Sequence, residues 1–326
     1  MTTIKQNTSP SMKSSPPTIS IIIPTFNREK FIGDAIRSIL AQTFQDFEII
    51  IVDDGSTDGT ADVIKSFITD KLKYIYQQNH GRSNARNHAL SLATGCYITF
   101  LDSDDLYLPN KLELQVGYMD AHPDVGMIYT SAHCMDEDGN PISHYYDALV
   151  SGWIYQEIAF FRPITITLPT VMARREVFDK VGGFDEKMER FEDTDMWRRI
   201  AKIFLVDAIP IPTCNLRTHE GNALAGQNPQ KIEDAVTYYI DKVFAEDNSI
   251  DKKILNKGAS RLCFFYAKAL LTMPKASASG CKLLFRSISY SPLTFYRLAF
   301  IGYYLALPHL KKLRSFRKNQ QYLAGK

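Results

Sequence analysis

Short apolar runs alternate with segments of helical periodicity in the N-terminal third of the chain. The predicted strands are Ile19–Pro24, Phe47–Asp53, Leu72–Gln77 and Tyr97–Leu101, and the predicted helices are Phe31–Gln42, Thr60–Ile68 and Arg82–Ala93. Nearly continuous apolar strands separated by amphipathic helices are typical of parallel strands that are covered on both faces. The pattern therefore predicts an α/β domain with a Rossmann-like, mostly parallel sheet flanked by helices.

The pattern changes after Pro109, where a helix begins. The further elements predicted for the same domain are a strand at Val125–Ser131, a turn at Asp136–Pro141, a helix at Thr194–Ile203 and a strand at Phe204–Ile209. Successive helices are then predicted at Lys231–Ala245, Lys252–Leu271, Ala276–Ser289 and Leu293–Leu307. We expect a main domain over residues 18–228 and a helical C-terminal extension over 229–326. Residues 1–17 are rich in Ser, Thr and Pro and are expected to be disordered.

Charge is distributed unevenly along the 326 residues. The net charge is +2, but residues 282–326 hold nine Lys and Arg and no Asp or Glu. The rest of the chain is therefore acidic, which argues against nucleic acid as a partner of the main domain. Five widely spaced cysteines indicate reduced thiols rather than a disulfide framework. Because the N-terminus also lacks the apolar run of a secretory signal, we expect a cytoplasmic protein.

The C-terminal segment combines an apolar stretch with a basic one. Leu293–Leu307 is aromatic and carries a single charge, Arg297, and the basic segment Lys311–Lys318 follows it. The apolar stretch is shorter than the roughly 20 residues that a spanning helix needs. It predicts attachment to an anionic membrane surface, at the inner face of the plasma membrane. The alternative, in which this helix packs on the main domain or forms a dimer contact, stays open.

Several common catalytic signatures are absent from the sequence. It contains no G-x-G-x-x-G, no G-x-x-x-x-G-K-[ST], no H-E-x-x-H and no G-x-S-x-G, which argues against dinucleotide, P-loop, zinc hydrolase and serine hydrolase chemistry. What remains is a set of carboxylates at predicted strand ends, where open α/β sheets bind ligands.

The acidic turn, defined here as Asp102-Ser103-Asp104-Asp105, directly follows a predicted strand. If the extended backbone continues, Asp102 and Asp104 point to the same side. Mg²⁺ and Mn²⁺ sites typically use one or two protein carboxylates and complete their coordination with water and substrate phosphate. The alternative interpretation is that these residues cap the helix that begins near Pro109.

Asp53 and Asp54 follow the second predicted strand and begin an Asp-Asp-Gly-Ser-Thr-Asp segment. A carboxylate at this position can accept hydrogen bonds from a ribose hydroxyl or a base N–H. The alternative is a glycine-containing turn in which Ser56 or Thr57 caps the next helix.

Six motifs, taken together and in this order, resemble family 2 glycosyltransferases. They are Ile19-Ser-Ile-Ile-Ile-Pro-Thr-Phe-Asn27, Asp53-Asp-Gly-Ser-Thr-Asp58, Gly81-Arg-Ser-Asn-Ala-Arg-Asn87, Phe100-Leu-Asp-Ser-Asp-Asp105, Val181-Gly-Gly-Phe-Asp-Glu186, and Glu192-Asp193 with Trp197. The resemblance covers about residues 18–220 and implies the GT-A fold.

The resemblance also implies roles for individual residues. Asp193 would be the general base, Pro24 and Asp54 would line the nucleobase pocket, Arg86 would lie near the base or the diphosphate, Asn27 and Ser103 would be further donor-binding residues, Asp102 and Asp104 would bind Mn²⁺ or Mg²⁺, and His219 would lie near the metal or the diphosphate. For the two tryptophans, Trp153 and Trp197, we expect buried packing rather than stacking on a sugar.

The implied activity is that of an inverting glycosyltransferase. It would move a sugar from a nucleoside-diphosphate donor, expected to be a UDP-sugar, to a hydroxyl of a saccharide or lipid-linked acceptor in cell-surface or exported polysaccharide or glycolipid synthesis. Two alternatives stay open. One is a non-catalytic protein of the same fold that binds nucleotide sugars, and the other is a nucleotidyltransferase, which would release pyrophosphate from a nucleoside triphosphate.

Overall fold

The computed structural model describes residues 15–67, 69–159, 165–218, 228–247, 249–273 and 276–291, which form two compact units divided after Asp247. The strands are β1 (Ile19–Thr25), β2 (Phe47–Asp53), β3 (Leu72–Tyr76), β4 (Tyr97–Phe100), β5 (Leu106–Tyr107), β6 (Val125–Met135), β7 (Pro141–Tyr146), β8 (Met172–Arg174) and β9 (Leu205–Arg217). The helices are α1 (Ile32–Leu40), α2 (Thr60–Lys65), α3 (Arg82–Leu92), α4 (Lys111–Ala121), α5 (Tyr155–Ala159), α6 (Arg175–Val181), α7 (Glu192–Ala201), α8 (Pro229–Glu246), α9 (Lys252–Thr272) and α10 (Ser277–Tyr290).

The first half of the sheet is parallel, in the order β3-β2-β1-β4. Successive residues of β1 point to opposite faces, and both faces are buried. Ile21 and Ile23 pack in the same apolar cluster as Ile36 of α1, whereas Ile22 packs in a second cluster with Ala89 of α3. Burial on both faces explains why the sequence of β1 is largely apolar.

The second half of the sheet is mixed, and continues β4-β8-β6-β9-β5 with β7 also paired to β6. β6 and β9 run parallel, whereas the pairs β4 with β8, β8 with β6, β6 with β7 and β9 with β5 are antiparallel. The predicted turn at Asp136–Pro141 joins β6 to β7. β6 and β9 are longer than predicted because their polar ends pair with each other, up to Met135 opposite Arg217.

Helix α7 begins two residues earlier than the sequence predicted. Phe191 adopts a left-handed conformation, with φ of 69°, and the helix starts directly after it at Glu192. Glu192 and Asp193 therefore lie in the first turn of the helix rather than ahead of it. Carboxylates at this position also interact favourably with the helix dipole.

The two tryptophans differ in environment. Trp197 of α7 is 1% exposed, and its indole N–H donates to the backbone oxygen of Ile166. Trp153 is 66% exposed, so the prediction of buried packing was wrong for this residue. It follows Gly152, whose backbone pairs with Val206 at the start of β9, and this pairing fixes the main chain while leaving the indole outside the core.

Contacts group α8 with the first unit, although the sequence pattern assigns it to the C-terminal extension. Arg198 of α7 is fully buried and donates to Asp195 and Asp247, each at 2.9 Å, and it also pairs with Glu246 of α8. Both terminal nitrogens of Arg198 thus have carboxylate partners, which offsets part of the cost of burying the charges.

In the second unit, α9 and α10 are joined by two reciprocal hydrogen bonds. The Ser260 hydroxyl donates to the Ser287 backbone oxygen at 2.6 Å, and the Ser287 hydroxyl donates to that of Ser260 at 2.7 Å. None of the helices within the described ranges is long and apolar enough to cross a membrane. The predicted membrane-attachment segment, Leu293–Lys318, lies outside the described residues.

Candidate active site

A cavity of about 680 Å³ lies at the carboxyl ends of β1, β2 and β4 in the first unit. Its lining includes most of the residues that the sequence singled out, which are Pro24, Asp54, Arg86, Asp102, Ser103, Asp104 and Asp193. Segments far apart in the sequence thus meet at one edge of the sheet, as expected for a ligand site in an open α/β sheet.

The acidic turn is closed by a backbone hydrogen bond of 3.0 Å from the Asp105 N–H to the Asp102 oxygen. Ser103 and Asp105 are buried, whereas Asp102 and Asp104 are partly exposed. The backbone forms a turn rather than continuing as a strand, so the condition of the strand argument is not met, although Asp102 and Asp104 both line the cavity.

Two arginines hold the acidic turn in place. The backbone N–H of Arg217, at the end of β9, donates to the Asp105 carboxylate at 2.7 Å, and its guanidinium donates to the backbone oxygen of Asp104 at 2.9 Å. Arg28 lies 3.5 Å from the Asp104 carboxylate. Arg217 was not among the predicted site residues, although it lies two residues before His219, which was.

The carboxylates of the acidic turn concentrate negative charge. Burial and repulsion from Asp104 raise the pKa of Asp102, although the positive charge of Arg86 acts in the opposite direction. Burial and repulsion from Asp102 and Asp104 raise the pKa of Asp105 well above its ordinary value. A bound cation would relieve this repulsion.

The donor chemistry of Asp102 and Asp104 fits Mn²⁺ or Mg²⁺, because two carboxylates on one cavity wall leave the remaining coordination positions for water and phosphate. Across the part of the chain that the structure describes, no set of three or more His, Cys, Asp or Glu side chains is grouped to bind a metal. His219, the third predicted ligand, lies outside the described residues.

Arg86 connects the acidic turn to helix α7. It is 3% exposed, and its guanidinium donates to Asp102 and to Glu192, each at 3.0 Å. Burial disfavours the charge of Arg86, but Asp102 and Glu192 outweigh this effect and raise its pKa. Arg82 reaches the same oxygen of Glu192 at 3.0 Å from the more exposed side. The first turn of α7 is therefore held against the acidic turn by ion pairs.

Asp193 lies in this first turn and lines the cavity. One of its carboxylate oxygens accepts the backbone N–H of Thr194 at 2.6 Å. Burial and the neighbouring charge of Glu192 raise the pKa of Asp193 to about 6, against lowering contributions from Thr194, Arg86 and Arg82. A carboxylate with this pKa is ionised at neutral pH and is more basic than an ordinary aspartate, which suits a general base.

Asp54 forms the opposite edge of the cavity and is 3% exposed. Its carboxylate accepts hydrogen bonds from the Gln77 amide at 2.8 Å and from the backbone N–H groups of His80 and Gly81 at 2.9 and 2.8 Å. Gly81 has φ of 89°, a conformation that favours glycine. Asp54 thus fixes the loop that leads into α3 beside Pro24.

Asn27 is not brought into the lining of the cavity. It has φ of 52°, and its side-chain oxygen accepts the backbone N–H of Thr57 at 2.8 Å. Its own N–H donates to the Ser56 hydroxyl at 2.9 Å. In this structure Asn27 joins the loops after β1 and β2, so its predicted contact with a donor stays a prediction.

The fold is shared with solved glycosyltransferase structures. Staphylococcus aureus TarS residues 1–349, in complex with UDP-GlcNAc, matches with a TM-score of 0.66 at 19% identity over 84% of this chain and 82% of that one. The mannosyltransferase PcManGT of Pyrobaculum calidifontis, in complex with GDP-Man and Mn²⁺, matches with a TM-score of 0.58 at 18% identity over 95% and 85%. The GT-A fold expected from the sequence is confirmed.

Sequence relatives point the same way. An uncharacterized glycosyltransferase of Rickettsia conorii is 38% identical over 184 residues, which are 56% of this chain and 30% of that protein. The Bacillus subtilis glycosyltransferase TuaG, named for teichuronic acid biosynthesis, is 38% identical over 135 residues, which are 40% of this chain and 53% of that protein. The chain spans about a third of the length of the first curated relatives that it matches. Residues 20–182 match the family model described as Glycosyl transferase family 2, and the chain belongs to that family.

Proposed function

We propose that this protein is a metal-dependent, inverting glycosyltransferase that uses a nucleoside-diphosphate sugar, with a UDP-sugar as the expected donor. The observation that carries the proposal is that Asp193 and the acidic turn line one cavity, and that Arg86 pairs both with Asp102 of the turn and with Glu192, the neighbour of Asp193. In this arrangement the carboxylate of Asp193 and the cation-attracting pair of Asp102 and Asp104 would face the same bound ligand. The nucleotide sugars in the TarS and PcManGT complexes support a donor of this class.

The metal would be bound by Asp102 and Asp104. When present, Mn²⁺ or Mg²⁺ offsets the negative charge of the donor diphosphate and of the departing nucleoside diphosphate. PcManGT, whose structure contains Mn²⁺, supports this choice of ion.

Asp193 would accept the proton of the acceptor hydroxyl. As that oxygen attacks the anomeric carbon, a new C–O bond forms and the bond from this carbon to the diphosphate oxygen breaks. The two events take place on opposite faces of the sugar, so the anomeric configuration inverts. A carboxylate that can reach the hydroxyl proton is sufficient for this role. The positive charges of Arg86 and Arg82 keep the pKa of Asp193 from rising further, so that the base is ionised at neutral pH.

Synthesis of a surface polysaccharide is the proposed context. The name of TuaG, which refers to teichuronic acid biosynthesis, supports it. Cytoplasmic location with attachment to the membrane through Leu293–Lys318 remains part of the proposal. Flotation with anionic liposomes tests it, since deletion of residues 290–326 should abolish binding. Equal flotation of the shortened chain would exclude this attachment.

A screen of UDP-, GDP- and dTDP-sugars for metal-dependent hydrolysis tests the activity itself. We expect release of a nucleoside diphosphate from one class of donor, with loss of the reaction in chelator. Binding of a donor without any turnover, with or without saccharide acceptors, would instead identify a non-catalytic nucleotide-sugar-binding protein. Release of pyrophosphate from a nucleoside triphosphate would identify a nucleotidyltransferase.

A further inference from the structure

The charges of the chain divide with its two units. Fifteen of the 38 Lys and Arg follow Asp251 in the sequence, whereas no Asp or Glu does. The first unit, over residues 1–247, holds the other 23 Lys and Arg against 35 of the 36 Asp and Glu, so it is acidic by twelve charges. An anionic surface therefore repels the first unit and attracts the second.

Each helix of the second unit leaves one line of residues exposed. Beyond the first two residues of α9, the exposed positions are Ile254, Lys257, Arg261, Phe265 and Thr272, and the partly exposed Lys268 falls between the last two. Beyond the first residue of α10, the exposed positions are Ala278, Lys282, Phe285 and Ser289. Steps of three and four residues place each set on a single face of its helix. These two sets are called the α9 stripe and the α10 stripe.

The stripes point away from the contacts that join the two helices. Ser260 and Ser287 exchange their reciprocal hydrogen bonds between α9 and α10. At about 100° per residue, Ser260 lies about 140° around α9 from Phe265, and Ser287 lies about 160° around α10 from Phe285. The two helices are therefore joined without the stripes, whose side chains remain available to a partner.

Phenylalanine is the most exposed apolar residue of each stripe. Phe265 is 56% exposed and Phe285 is 72% exposed. A phenyl ring has no polar atom, so it is stabilised by leaving water and not by hydrogen bonds to a sugar or a phosphate. Apolar rings among basic side chains are typical of helices that lie in the interface of an anionic membrane. A soluble anionic polymer would pair with the charges and leave the rings in water.

The sequence that follows α10 has the same character as the stripes. The apolar segment Leu293–Leu307 begins three residues after the end of α10, and the basic segment Lys311–Lys318 follows it. One weak signal gives only marginal, reversible membrane binding, and stable attachment takes two. The stripes supply a second signal next to the one in that segment. A second copy of this unit is a poor partner by comparison, because it would bring like charges together.

We propose that the α9 stripe and the α10 stripe dock on anionic phospholipid. The rings of Phe265 and Phe285 enter the boundary between headgroups and acyl chains, and the lysines and arginines of the stripes pair with lipid phosphates. This inference extends the membrane attachment proposed for Leu293–Lys318 to two helices of the structure. It does not depend on the transferase assignment.

Flotation of the full chain with two kinds of vesicle tests the docking. One kind contains phosphatidylcholine and phosphatidylglycerol, and the other contains phosphatidylcholine alone. We expect the parent to float only with the anionic vesicles. Phe265→Ser and Phe285→Ser should each weaken binding by roughly tenfold, the factor expected for one aromatic side chain removed from water. Joint replacement of Lys257, Arg261 and Lys268 with Gln should weaken it by roughly 100-fold, from about fivefold for each charge near the lipid.

The first unit provides matched controls. Leu149 is 72% exposed, as Phe285 is, so Leu149→Ser removes an equally exposed apolar side chain and should float like the parent. Lys65, Arg175 and Lys187 are also exposed, and their joint replacement with Gln removes as much charge as the triple variant of the α9 stripe. It should have little effect. Thermal melting verifies that each variant is folded, and the triple variant decides the question if a phenylalanine variant is not.

The outcomes separate this proposal from the others. Stripe variants that float like the parent refute the docking, even if deletion of residues 290–326 abolishes flotation. Equal flotation of the parent with both kinds of vesicle also overturns it. Binding to soluble polygalacturonate without binding to vesicles would assign the stripes to an anionic polymer, and dimers that the stripe variants lose would assign them to a second copy. Donor hydrolysis without vesicles should be unchanged in every stripe variant, and its absence from the parent would contradict the transferase function alone.

Discussion

Arg86 and Glu192 form an ion pair that is buried on both sides, with 3.0 Å between Nη1 and Oε1 and side-chain exposures of 4% and 6%. The second terminal nitrogen of Arg86 binds Asp102, so a single side chain contacts both the acidic turn and the helix that carries Asp193. The position of Asp193 relative to Asp102 and Asp104 therefore depends on this guanidinium.

Replacing Arg86 with Met should destabilise the fold. The change leaves Glu192 buried with only Arg82 to compensate its charge, and removal of one partner of a buried ion pair typically costs about 3–5 kcal/mol. Urea unfolding should show a lower midpoint with an unchanged slope. The double variant Arg86→Met with Glu192→Gln should recover part of the loss, because the buried charge at position 192 is removed and only Asp102 has lost its partner.

The exposed pair Lys65 and Asp62 provides the control for this measurement. Both side chains are more than half exposed, so Lys65→Met should change stability by less than about 1 kcal/mol. If Arg86→Met unfolds at the same urea concentration as Lys65→Met, the buried pair does not have the structural role described here.

Replacing Asp193 with Asn should abolish most of the activity while leaving the donor bound. Asn keeps the shape of the side chain but cannot accept the proton, so kcat should fall by roughly 10²–10⁴ with nearly unchanged donor affinity. Steady-state kinetics and donor titration measure the two quantities separately. A variant that turns over like the parent would exclude Asp193 as the base.

The raised pKa of Asp193 predicts a pH dependence of kcat. The base is active when ionised, so kcat should be constant above pH 7 and decline about tenfold per pH unit once the pH is below about 6. The measurement requires saturating donor, acceptor and metal at every pH. A plateau that continues to pH 4.5 would show that the reaction does not need this carboxylate in its ionised form.

The same pKa predicts that Asp193→Asn is more stable than the parent at neutral pH. Because the folded-state pKa of about 6 lies above the ordinary value of 3.8, ionisation of Asp193 favours the unfolded chain. This destabilisation is absent below about pH 4 and complete above about pH 6, where it amounts to roughly 1–3 kcal/mol. Thermal melts of both proteins should therefore diverge between pH 4 and pH 7. Parallel stability curves would contradict the shifted pKa.

Replacing Asp104 with Ala should remove the metal dependence of donor binding. The parent should bind a UDP-sugar more tightly with Mn²⁺ than in chelator, because the ion links the carboxylates to the diphosphate. In Asp104→Ala the two affinities should converge. Asp34→Ala, in an exposed pair with Arg37 on α1, is the control that should keep the full metal effect. Equal affinity of the parent with and without Mn²⁺ would remove the metal from the mechanism.

The ion pairs of Arg198 predict where the chain can be shortened. A chain that ends after Asp247 retains two acidic partners of Arg198, which are Glu246 at the end of α8 and Asp247 directly after it. This shortened chain should stay soluble and melt cooperatively. A chain that ends at residue 228 leaves Arg198 with Asp195 alone and should be unfolded or strongly destabilised. Circular dichroism melts of the two shortened chains measure the difference. Equal melting temperatures would mean that α8 contributes little to the first unit.

The parallel half of the sheet was predictable to within a residue or two because its signal is local. β1, β2 and β4 are buried and largely apolar, whereas the edge strand β3 is only partly buried, and each of the four is followed by helical periodicity or a turn. The acidic turn and Asp193 were found because their residues belong to motifs that can be compared with a family.

The part of the cavity lining that comes from β6, β7 and the segment before β8, which includes Tyr146 and Thr167, was not predictable from such signals. Thr167 and Tyr146 are ordinary residues in segments without a motif, and they reach the cavity through the pairing of β7 with β6 and the packing of Ile166 on α7. Arg217 acts through the backbone pairing of β9, which the sequence pattern ended at Ile209. Long-range strand pairing decided the positions of Tyr146 and Arg217, and packing on α7 decided that of Thr167, and one sequence contains no direct record of either kind of contact.

Because the acidic turn lies in the middle of the sheet, the two sides of the cavity can change separately among related proteins. The lining residues from Pro24 to Asp105 are encoded in the first third of the chain and the others after residue 130, so exchange of the later segment between homologous genes can replace one part of the cavity while preserving the other. The exchanged segment must still bring a glutamate to the place of Glu192, since Arg86, encoded in the earlier segment, is otherwise left with Asp102 alone in a buried position. A hybrid protein that lacks the pair of Arg86 and Glu192 would contain both parts of the cavity lining. It would nevertheless be destabilised where the two parts meet, because the buried charge of Arg86 is poorly compensated.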